Sequence, residues 1–413
     1  RPWLGLKLAE IADLDAALVI GSFLRKEQPL VAQRLRQAAK KFTKVSIVSV
    51  GGDDQLIKLH QNFTVSPAHL VLVVAAIAKA AAYAKGVPAI TGFDGIEPCE
   101  KAKAIAQSLI EGEKRHIFLG NVAEQHPQAA ALHALVQELA KLTGATFGFL
   151  SEAANSVGGY VAGLLPTANG LNAYEMLAQP RKAYVVLGTE LDRDAHNAQL
   201  ATSALKQAAF SVVLTPFKDG NAAETADALL PIAPFTETSG TFVNAEGRVQ
   251  GFNGVVAPLG EARPGWKVLR VLGNVLGLSG FDFMSSEAVR DTVVSAKAEF
   301  ASGLDNGLKD VVATVAAAPE GLQRIADVPI HFADMLARRS PALQLTRDAA
   351  APTARMSAAT LAQAGVADGA SVTVKQGNGS AALVAKADET VPAGCVRVSA
   401  AHATTAGLGD LFG

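Results

Sequence analysis

One arrangement occurs three times along the chain: a short apolar run that ends at a glycine, then an amphipathic helix, then a second apolar run. In the first copy, DAALVIGS brings Gly21 directly after the apolar residues, and VSIVSV follows the helix. The helix between them has apolar residues at i, i+4, i+7 and i+11, namely Val31, Leu35, Ala38 and Phe42. This succession predicts a strand, a helix and a second, parallel strand.

The other two copies follow the same order. RHIFLGN ends at the glycine of position 120 and leads through the helix PQAAALHALVQELAKL to ATFGFL, while AYVVLG leads through a helix to FSVVLT. Three copies predict an α/β fold in which helices cover both faces of parallel sheets. Ligands of such sheets bind at the carboxyl ends of the strands. Those ends are Gly21, Gly120, Gly188 and the loop after Leu214.

Beyond these copies the character of the chain changes twice. From Gly265 onward the pattern is helical, with an Ala/Val-rich helix predicted near Lys309 to Ala318. After Arg338, SVTVKQGNGSAALVAKA alternates with a period of two, which predicts a small β domain. We therefore predict two Rossmann-like α/β domains at 1–112 and 113–264, a helical linker region at 265–339 and a β-barrel domain at 340–413.

The composition disfavours several classes of function. The 37 basic and 38 acidic side chains nearly cancel, so no global field would recruit nucleic acid. The longest apolar run, Leu70 to Ala78, is far shorter than the ~20 residues of a membrane span, so we predict no direct membrane insertion. Only Cys99 and Cys395 are present, which is too few for a four-cysteine zinc or iron–sulfur site and fits a reducing cytoplasm.

Local motifs for common chemistries are absent from the sequence. It has no P-loop, no G-x-G-x-x-G fingerprint, no H-E-x-x-H and no G-x-S-x-G. His126 and His133 fall in one helical region without further ligands, so no metal site is predicted. Asp192, Arg193 and Asp194 are either polar groups at a ligand crevice or a charge cluster at a helix N-terminus. We assign no catalytic residue and no metal ligand.

A dense polar stretch, ADALLPIAPFTETSGTFVNAEGRVQ, follows the third copy. It is similar to the segment of molybdopterin oxidoreductases in which ADVVLP precedes an acidic residue, a glycine and a T-F-x-N-x-E-G-R-x-Q run. The matching positions are Ala226, Asp227, Leu230, Pro231, Glu237, Gly240, Thr241, Phe242, Asn244, Glu246, Gly247, Arg248 and Gln250.

The resemblance extends along the chain. IGSFLRKEQPLVAQRLRQAAKK resembles the first cofactor-domain unit of that family, EAANSVGGYVAGLLP its glycine-rich loop, and RRSPALQLT the start of its double-psi β-barrel. Within the family, RRSPALQ, GTELDRD and the alanine-rich linkers are most similar to the large iron–sulfur subunits of bacterial NADH:quinone oxidoreductase, respiratory complex I. Because the chain begins RPWLGLK, without an initiator methionine, we expect a piece of a longer protein.

This resemblance implies two Rossmann-like units of the molybdopterin oxidoreductase type, followed by a double-psi β-barrel. It also implies a catalytically silent body, without a cofactor of its own, that packs beside the other subunits of the complex I peripheral arm. Iron–sulfur clusters would lie in an N-terminal part that is missing here, and the body would be cytoplasmic and attached peripherally to the inner membrane. The alternative is an active oxidoreductase that depends on molybdopterin guanine dinucleotide.

The cofactor crevice of the family maps onto eight positions, which under the first hypothesis are structural relics: Gly21, Ser22, Asn155, Gly188, Glu237, Gly240, Thr241 and Arg248. In active members the loop after the third strand commonly is G-E-N-P, but here it is Gly188-Thr189-Glu190-Leu191. Asp192 and Asp194 are expected to add negative charge that repels the pyrophosphate of the cofactor. We further predict that Glu237 and Arg248 form an ion pair.

Overall fold

We obtained a computed structural model of the chain, which describes residues 2–218, 220–294, 303–314, 317 and 319–412. The predicted fold class is confirmed, because two parallel α/β units are followed by a curled, mixed β-sheet. The strands of the first sheet, sheet 1, are β1 (Ala16–Ile20), β2 (Lys44–Ser49), β3 (Gln61–Thr64), β4 (Arg115–Leu119) and β5 (Thr146–Phe149).

Sheet 1 has the strand order β3-β2-β1-β4-β5, and all its strands are parallel. Strand β1 lies at the centre, and all five of its residues are buried. Leu18 and Ile20 pack on one face of the sheet, whereas Ala17 and Val19 pack on the other. Helices must therefore cover both faces, as the continuous apolar run of β1 predicts.

The helices around sheet 1 are α1 (Leu24–Glu27), α2 (Pro29–Ala39), α3 (Pro67–Lys85), α4 (Glu100–Glu111), α5 (Asn121–Glu124) and α6 (Ala129–Thr143). By length and apolar composition, α3 is the one helix within the described ranges that could cross a membrane. In the structure α3 packs between α4 and α6, and most of its residues are buried in the core of sheet 1.

Residues 151–294 form the second α/β unit. Its strands are β6 (Ala183–Leu187), β7 (Phe210–Thr215) and β8 (Ala228–Pro231), which form a parallel sheet, sheet 2, followed by the hairpin of β9 (Gly240–Val243) and β10 (Val249–Phe252). Its helices are α7 (Ser156–Val161), α8 (Ala173–Ala178), α9 (Leu191–Asp194), α10 (Ala198–Gln207), α11 (Asn221–Thr225), α12 (Gly265–Val275) and α13 (Ser286–Val294).

The curled sheet has the strand order β11-β15-β12-β14-β13 and combines parallel with antiparallel pairs. Its strands are β11 (Gln323–Ile325), β12 (Ala354–Met356), β13 (Ser371–Gln376), β14 (Gly379–Ala387) and β15 (Cys395–Arg397). Three short helices accompany it, namely α14 (Met335–Arg338), α15 (Pro341–Gln344) and α16 (Ala358–Gln363). Burial alternates along β14, which gives the sheet a core of its own.

Two sheets include strands that lie beyond the predicted limits of their domains. Strands β4 and β5 belong to sheet 1 and not to the second unit, because β4 pairs with β1 from Ala16 and Arg115 to Ile20 and Leu119. Strand β11 lies before residue 340 yet pairs with β15 in the curled sheet; its three residues are too few to show a period. The limits therefore stay predictions, and sheet membership differs from them at these two points.

The helix predicted near Lys309 to Ala318 is not formed by residues 309–314 and 317, whereas residues 315, 316 and 318 lie outside the described part. The segment is held by tertiary hydrogen bonds instead. Gln137 of α6 accepts a hydrogen bond from Leu308 N at 2.7 Å and donates one to Leu308 O at 3.0 Å. Backbone groups that are satisfied in this way no longer require a helix.

We predict that Arg397→Met lowers the free energy of unfolding by ~3–5 kcal/mol, because it leaves two carboxylates without the buried cation that pairs with them. The Arg397 side chain is 2% exposed and contacts Asp53 at 3.2 Å and Asp327 at 3.0 Å. Urea unfolding of the intact protein measures the change.

Arg355→Met is the matched control, because Arg355 pairs with Asp388 at 3.3 Å but its side chain is 39% exposed. Its loss should be at most about 1 kcal/mol, as for other exposed ion pairs. Equal losses in the two variants would contradict the prediction.

Candidate functional site

At the carboxyl edge of sheet 1, backbone contacts fill the space between the loops after β1 and β4. Gly21 follows β1 with φ +63°, and a Cβ there would lie 2.6 Å from Ala123 N. Its carbonyl oxygen accepts a hydrogen bond from Val122 N at 2.9 Å. The loops after β1 and β4 thus touch each other at the point where the strand order reverses, which is where parallel sheets usually bind nucleotides.

Beside this contact, an arginine of the curled sheet covers the ends of β1 and β2. The Arg397 guanidinium lies 4.5 Å above the Phe23 ring and bonds Asp53 and Asp327. Gly52 N donates to Thr390 O at 3.0 Å. Burial raises the pKa of Asp327, but the Arg397 charge outweighs it and holds that pKa below its ordinary value. This buried pair joins the curled sheet to sheet 1.

Ser22 is fully buried and belongs to a small network of acids. Its hydroxyl donates to Glu27 Oε2 at 2.8 Å, and Phe23 N donates to the same oxygen at 3.0 Å. Burial, with smaller contributions from Asp327 and Asp53, raises the Glu27 pKa to about 7. Burial and the charges of Glu152 and Glu27 raise the Glu124 pKa to about 8. The neighbourhood of Ser22 therefore favours protonated carboxyls over bound anions.

The carboxyl edge of sheet 2 carries a second arginine cluster. Gly188 ends β6 with φ +62°, and Glu190 follows in the loop. Arg338 donates to Glu190 Oε2 at 2.7 Å and to Asp194 Oδ1 at 2.5 Å, while Arg339 donates to Glu190 Oε1 at 2.6 Å. The Arg339 guanidinium also lies 4.1 Å above the Phe217 ring. Both guanidinium groups are thus occupied by carboxylates of this chain.

This geometry corrects the expectation that the GTELDRD loop is a source of repulsion. Glu190 and Asp194 face Arg338 and Arg339, and Asp192 faces Arg193 at 3.3 Å. Burial raises the pKa of Glu190, but the two arginines lower it by more, so the carboxylate stays charged. The charges of the loop are therefore balanced by arginines. A phosphate would be hindered because the guanidinium groups that could bind it are already paired with carboxylates.

Three of the eight crevice candidates lie together elsewhere. Asn155, Gly240 and Thr241 line a cavity of about 200 Å³ together with Trp266 and Arg290. Asn155 Oδ1 accepts a hydrogen bond from Val243 N at 2.8 Å and so ties helix α7 to the β9–β10 hairpin. The side-chain carbonyl oxygen of Asn155 therefore already has a structural partner.

The predicted pair of Glu237 and Arg248 is not formed. Arg248 contacts Glu246 at 3.1 Å with a side chain that is 65% exposed, and Glu237 accepts a hydrogen bond from Leu259 N at 3.1 Å. Gly247 lies between Glu246 and Arg248 with φ +81°, so the tight turn of the hairpin brings them side by side. The eight candidates consequently fall at five separate places rather than in one crevice.

The residues that close the two sheet edges were not among the sequence candidates. Arg397, Asp53 and Asp327 are far apart in the chain and belong to no motif, so nothing in the sequence joins them. Arg338 and Arg339 are part of RRSPALQ, which carried only the resemblance to the family. The consecutive arginine pair was the one available signal, but its acidic partner Glu190 lies 148 positions away in the sequence.

Within the described ranges, no group of three or more His, Cys, Asp or Glu side chains is placed so that it could hold a metal ion. His126 Nε2 contacts Pro67 O at 3.0 Å, and His133 Nε2 contacts Asn306 O at 2.7 Å. Cys99 is exposed, whereas burial raises the pKa of Cys395 to about 11.

We predict that the double variant Glu190→Gln, Asp194→Asn gains a site for inorganic diphosphate, because it frees two guanidinium groups without removing them. About three charge-assisted hydrogen bonds would give a Kd on the order of 100 µM. Isothermal titration calorimetry measures the binding.

The control variant Glu138→Gln, Asp291→Asn removes two acids from exposed ion pairs and so changes the net charge by the same amount. Equal affinity in the control, or no binding in the double variant, would show that this arginine pair is not an anion site.

A further prediction concerns pH. The raised Glu124 pKa means that the folded protein holds this proton more tightly than the unfolded chain, whose value is near 4.5. Protonated Glu124 therefore contributes to the free energy of unfolding. This contribution is fully present below the pKa of the unfolded chain and is lost as pH rises through about 8. Glu124→Gln should therefore reduce the fall in unfolding free energy between about pH 5 and 8 by ~2 kcal/mol. Denaturation at several pH values tests this, with the exposed Glu113→Gln as control; an unchanged slope contradicts it.

With this geometry known, the chain can be compared with characterised proteins. Residues 2–275 match the Molybdopterin oxidoreductase family and residues 331–409 match the Molydopterin dinucleotide binding domain. The Probable oxidoreductase YjgC of Bacillus subtilis (strain 168) is 35% identical over 117 residues, which are 27% of this chain and 12% of that protein. The NADH-ubiquinone oxidoreductase 75 kDa subunit of Reclinomonas americana is 25% identical over 275 residues, 65% of this chain and 35% of that subunit.

A Nitrate reductase of Synechocystis sp. is 32% identical over 135 residues, 32% of this chain and 19% of that enzyme. The chain thus spans well under half the length of these relatives. Among solved structures, Acetylene Hydratase from Pelobacter acetylenicus superposes with a TM-score of 0.70 over 95% of this chain and 71% of that one, at 14% identity, which concerns the fold alone. Since the family match covers more than half of the 413 residues, the chain belongs to the molybdopterin oxidoreductase family.

Proposed function

We propose that the chain is a catalytically silent body of a peripheral-arm subunit of NADH:quinone oxidoreductase, the complex that passes electrons from NADH to quinone and couples this to proton translocation. The observation that carries the proposal is the occupation of both sheet edges by arginine–carboxylate clusters. The similarity to a 75 kDa subunit of that complex, over 275 residues, supports the same conclusion.

Whether the chain is silent depends on whether it can bind the dinucleotide cofactor of its family. Such a cofactor needs room, and free hydrogen-bond donors for its phosphates, at the strand ends. At sheet 1 the contact of Gly21 with Ala123 and the Arg397 pair take the room at the ends of β1 and β2. A cleft of about 690 Å³ remains open at the end of β5, and its charged lining residues among those described are Glu27, Glu152 and Glu246, which supply no donor for a phosphate. At sheet 2 the donors of Arg338 and Arg339 are engaged by Glu190 and Asp194. The residues present do not fit the phosphates of a molybdopterin dinucleotide, so we derive no chemical step through that group.

In this proposal the partners are other subunits of the peripheral arm, with no nucleic acid among them. The protein would be cytoplasmic and attached to the inner membrane through the complex, and iron–sulfur clusters would be bound outside these residues. The nearly balanced charge and the exposed apolar side chains, among them Val275, Leu276 and Leu345, suit a protein that is surrounded by other chains.

An active molybdopterin-dependent oxidoreductase is the second candidate. It is favoured by the Molydopterin dinucleotide binding domain match over residues 331–409 and by the similarity to a nitrate reductase. Arg338 and Arg339 lie inside the matched range, so this candidate requires them to exchange Glu190 and Asp194 for cofactor phosphates.

Elemental analysis of the intact protein, purified from its natural host, separates the two candidates. We predict no stoichiometric molybdenum or tungsten in the protein, because its phosphate-binding groups are occupied by its own side chains. A purified nitrate reductase that is carried through the same preparation serves as the positive control. A ratio of either metal to protein near one would overturn the proposal in favour of the second candidate.

A further inference from the structure

Strand β6 is an outer strand of sheet 2 whose outer side is open. The strand order is β6-β7-β8, and β6 pairs with β7 from Ala183 and Phe210 to Leu187 and Leu214. No second strand of the described chain pairs with β6. Beyond the pairing with β7, its one described backbone hydrogen bond is from Thr189 Oγ1 to Leu187 O at 3.2 Å. The outer side of β6 therefore presents backbone N–H and C=O groups that a further strand can pair with.

The other outer strands of the two parallel sheets are covered by the chain itself. In sheet 1, Phe149 N of β5 donates to Trp3 O at 2.9 Å, and a lysine of α4 donates to a carbonyl oxygen of β3 at 3.2 Å. In sheet 2, Ala233 N, directly after β8, donates to Arg263 O at 2.9 Å. Among these outer strands, β6 is thus the one that lacks a covering segment within the described residues.

One face of β6 is also open. Exposed and half-buried side chains alternate along the strand, and Ala183, Val185 and Leu187 are the exposed ones. Val185 is 59% exposed and Leu187 is 44% exposed, and Phe210, which pairs with Ala183, is 50% exposed. Alternate residues of a strand lie on the same face, so these side chains form one apolar surface. Strands of parallel sheets are ordinarily buried on both faces, as β1 is.

Strand β6 carries none of the features that protect a natural sheet edge from pairing. Its sequence, AYVVL, contains no charged residue and no proline, and the basic residues Arg181 and Lys182 come before it. The strand is held in place from its other face, where Tyr184 donates a hydrogen bond to Met176 O of α8 at 2.6 Å. An apolar, ordered and unprotected edge pairs readily with a further strand.

The lengths of the related proteins show where such a strand can come from. The superposition on Acetylene Hydratase covers 95% of this chain but 71% of that one, and the similarity to the 75 kDa subunit covers 35% of that subunit. In both cases a single longer chain contains polypeptide outside the shared part. A second copy of this chain would offer five residues of β6, far fewer than the ~20–30 residues on each side of a stable interface.

We propose that a segment outside these 413 residues, in the same longer chain, adds a strand to the outer edge of β6 and covers Val185 and Leu187 with apolar side chains. Backbone hydrogen bonds would hold the added strand, and its apolar side chains would fix its register. This proposal goes beyond the proposed function, because it applies equally to a silent body and to a molybdopterin-dependent enzyme.

Hydrogen exchange measured by mass spectrometry tests the proposal on the full-length chain, purified without other subunits. The internal reference is β7, which is paired on both sides. We expect the backbone N–H groups of β6 to be as protected as those of β7. An open edge leaves about half of the N–H groups of a strand unpaired. Exchange of about half of the β6 groups at least about tenfold faster than those of β7 would therefore overturn the proposal.

A pair of variants of the full-length chain tests the covering of the apolar face. Val185→Lys should lower the melting temperature by at least about 4 °C, because the added segment would bury the new charge. Val384→Lys is the matched control, since Val384 is 47% exposed on β14, a strand that is already paired on both sides. Equal shifts in the two variants, or no shift in Val185→Lys, would contradict the proposal.

Light scattering on the same full-length chain separates the proposed segment from a second copy. We expect protection of β6 in the monomer. Protection that appears only in a dimer and disappears on dilution would overturn the proposal in favour of pairing between two copies. A metal-to-protein ratio near one would overturn the proposed function alone and leave this result standing.

Discussion

The buried contact between Arg397 and its two carboxylates joins the curled sheet to sheet 1, where Ile325, Val391 and Cys395 also pack into the core of sheet 1. Asp53 follows β2 of sheet 1, whereas Asp327 and Arg397 belong to the curled sheet, so one guanidinium group holds two units together. A buried charge is tolerable only when it is fully paired. The cluster therefore adds a paired charge to the apolar contacts between the two sheets, and the short Gly51-Gly52 stretch lets them come close enough for it to form.

The same physical solution occurs at sheet 2, where Arg338 and Arg339 engage Glu190 and Asp194. At both sheets, the positive groups at the carboxyl edge are satisfied by acids of the chain itself. Parallel sheets bind ligands at this edge, and here the arginines beside the ends of β1, β2 and β6 are engaged by carboxylates of the chain itself. This explains how the fold of a cofactor-binding family can be retained in a body for which we propose no cofactor.

Charge is arranged differently in the cleft beside the β9–β10 hairpin. Among the described residues there, Glu246 pairs with Arg248 at 3.1 Å, Glu27 accepts hydrogen bonds from Ser22 and Phe23, and apolar side chains such as Phe235 stay exposed. Paired ion clusters help to hold the units together, whereas exposed aromatic side chains such as Phe235 form a surface that can still gain free energy by being buried.

The sequence alone determined the fold class and the strands that have a clear apolar run, such as β1, because apolar runs and helical periods are local properties, whereas the three residues of β11 show no period. The left-handed glycine at position 144, which ends α6, was likewise predictable. Only the tertiary structure decided that β4 joins β1, that Arg248 turns to Glu246 and that Arg397 meets Asp53. These contacts join residues that no helical or strand periodicity relates. A charged side chain pairs with whichever opposite charge lies near it in the folded protein, and a local sequence pattern does not encode that proximity.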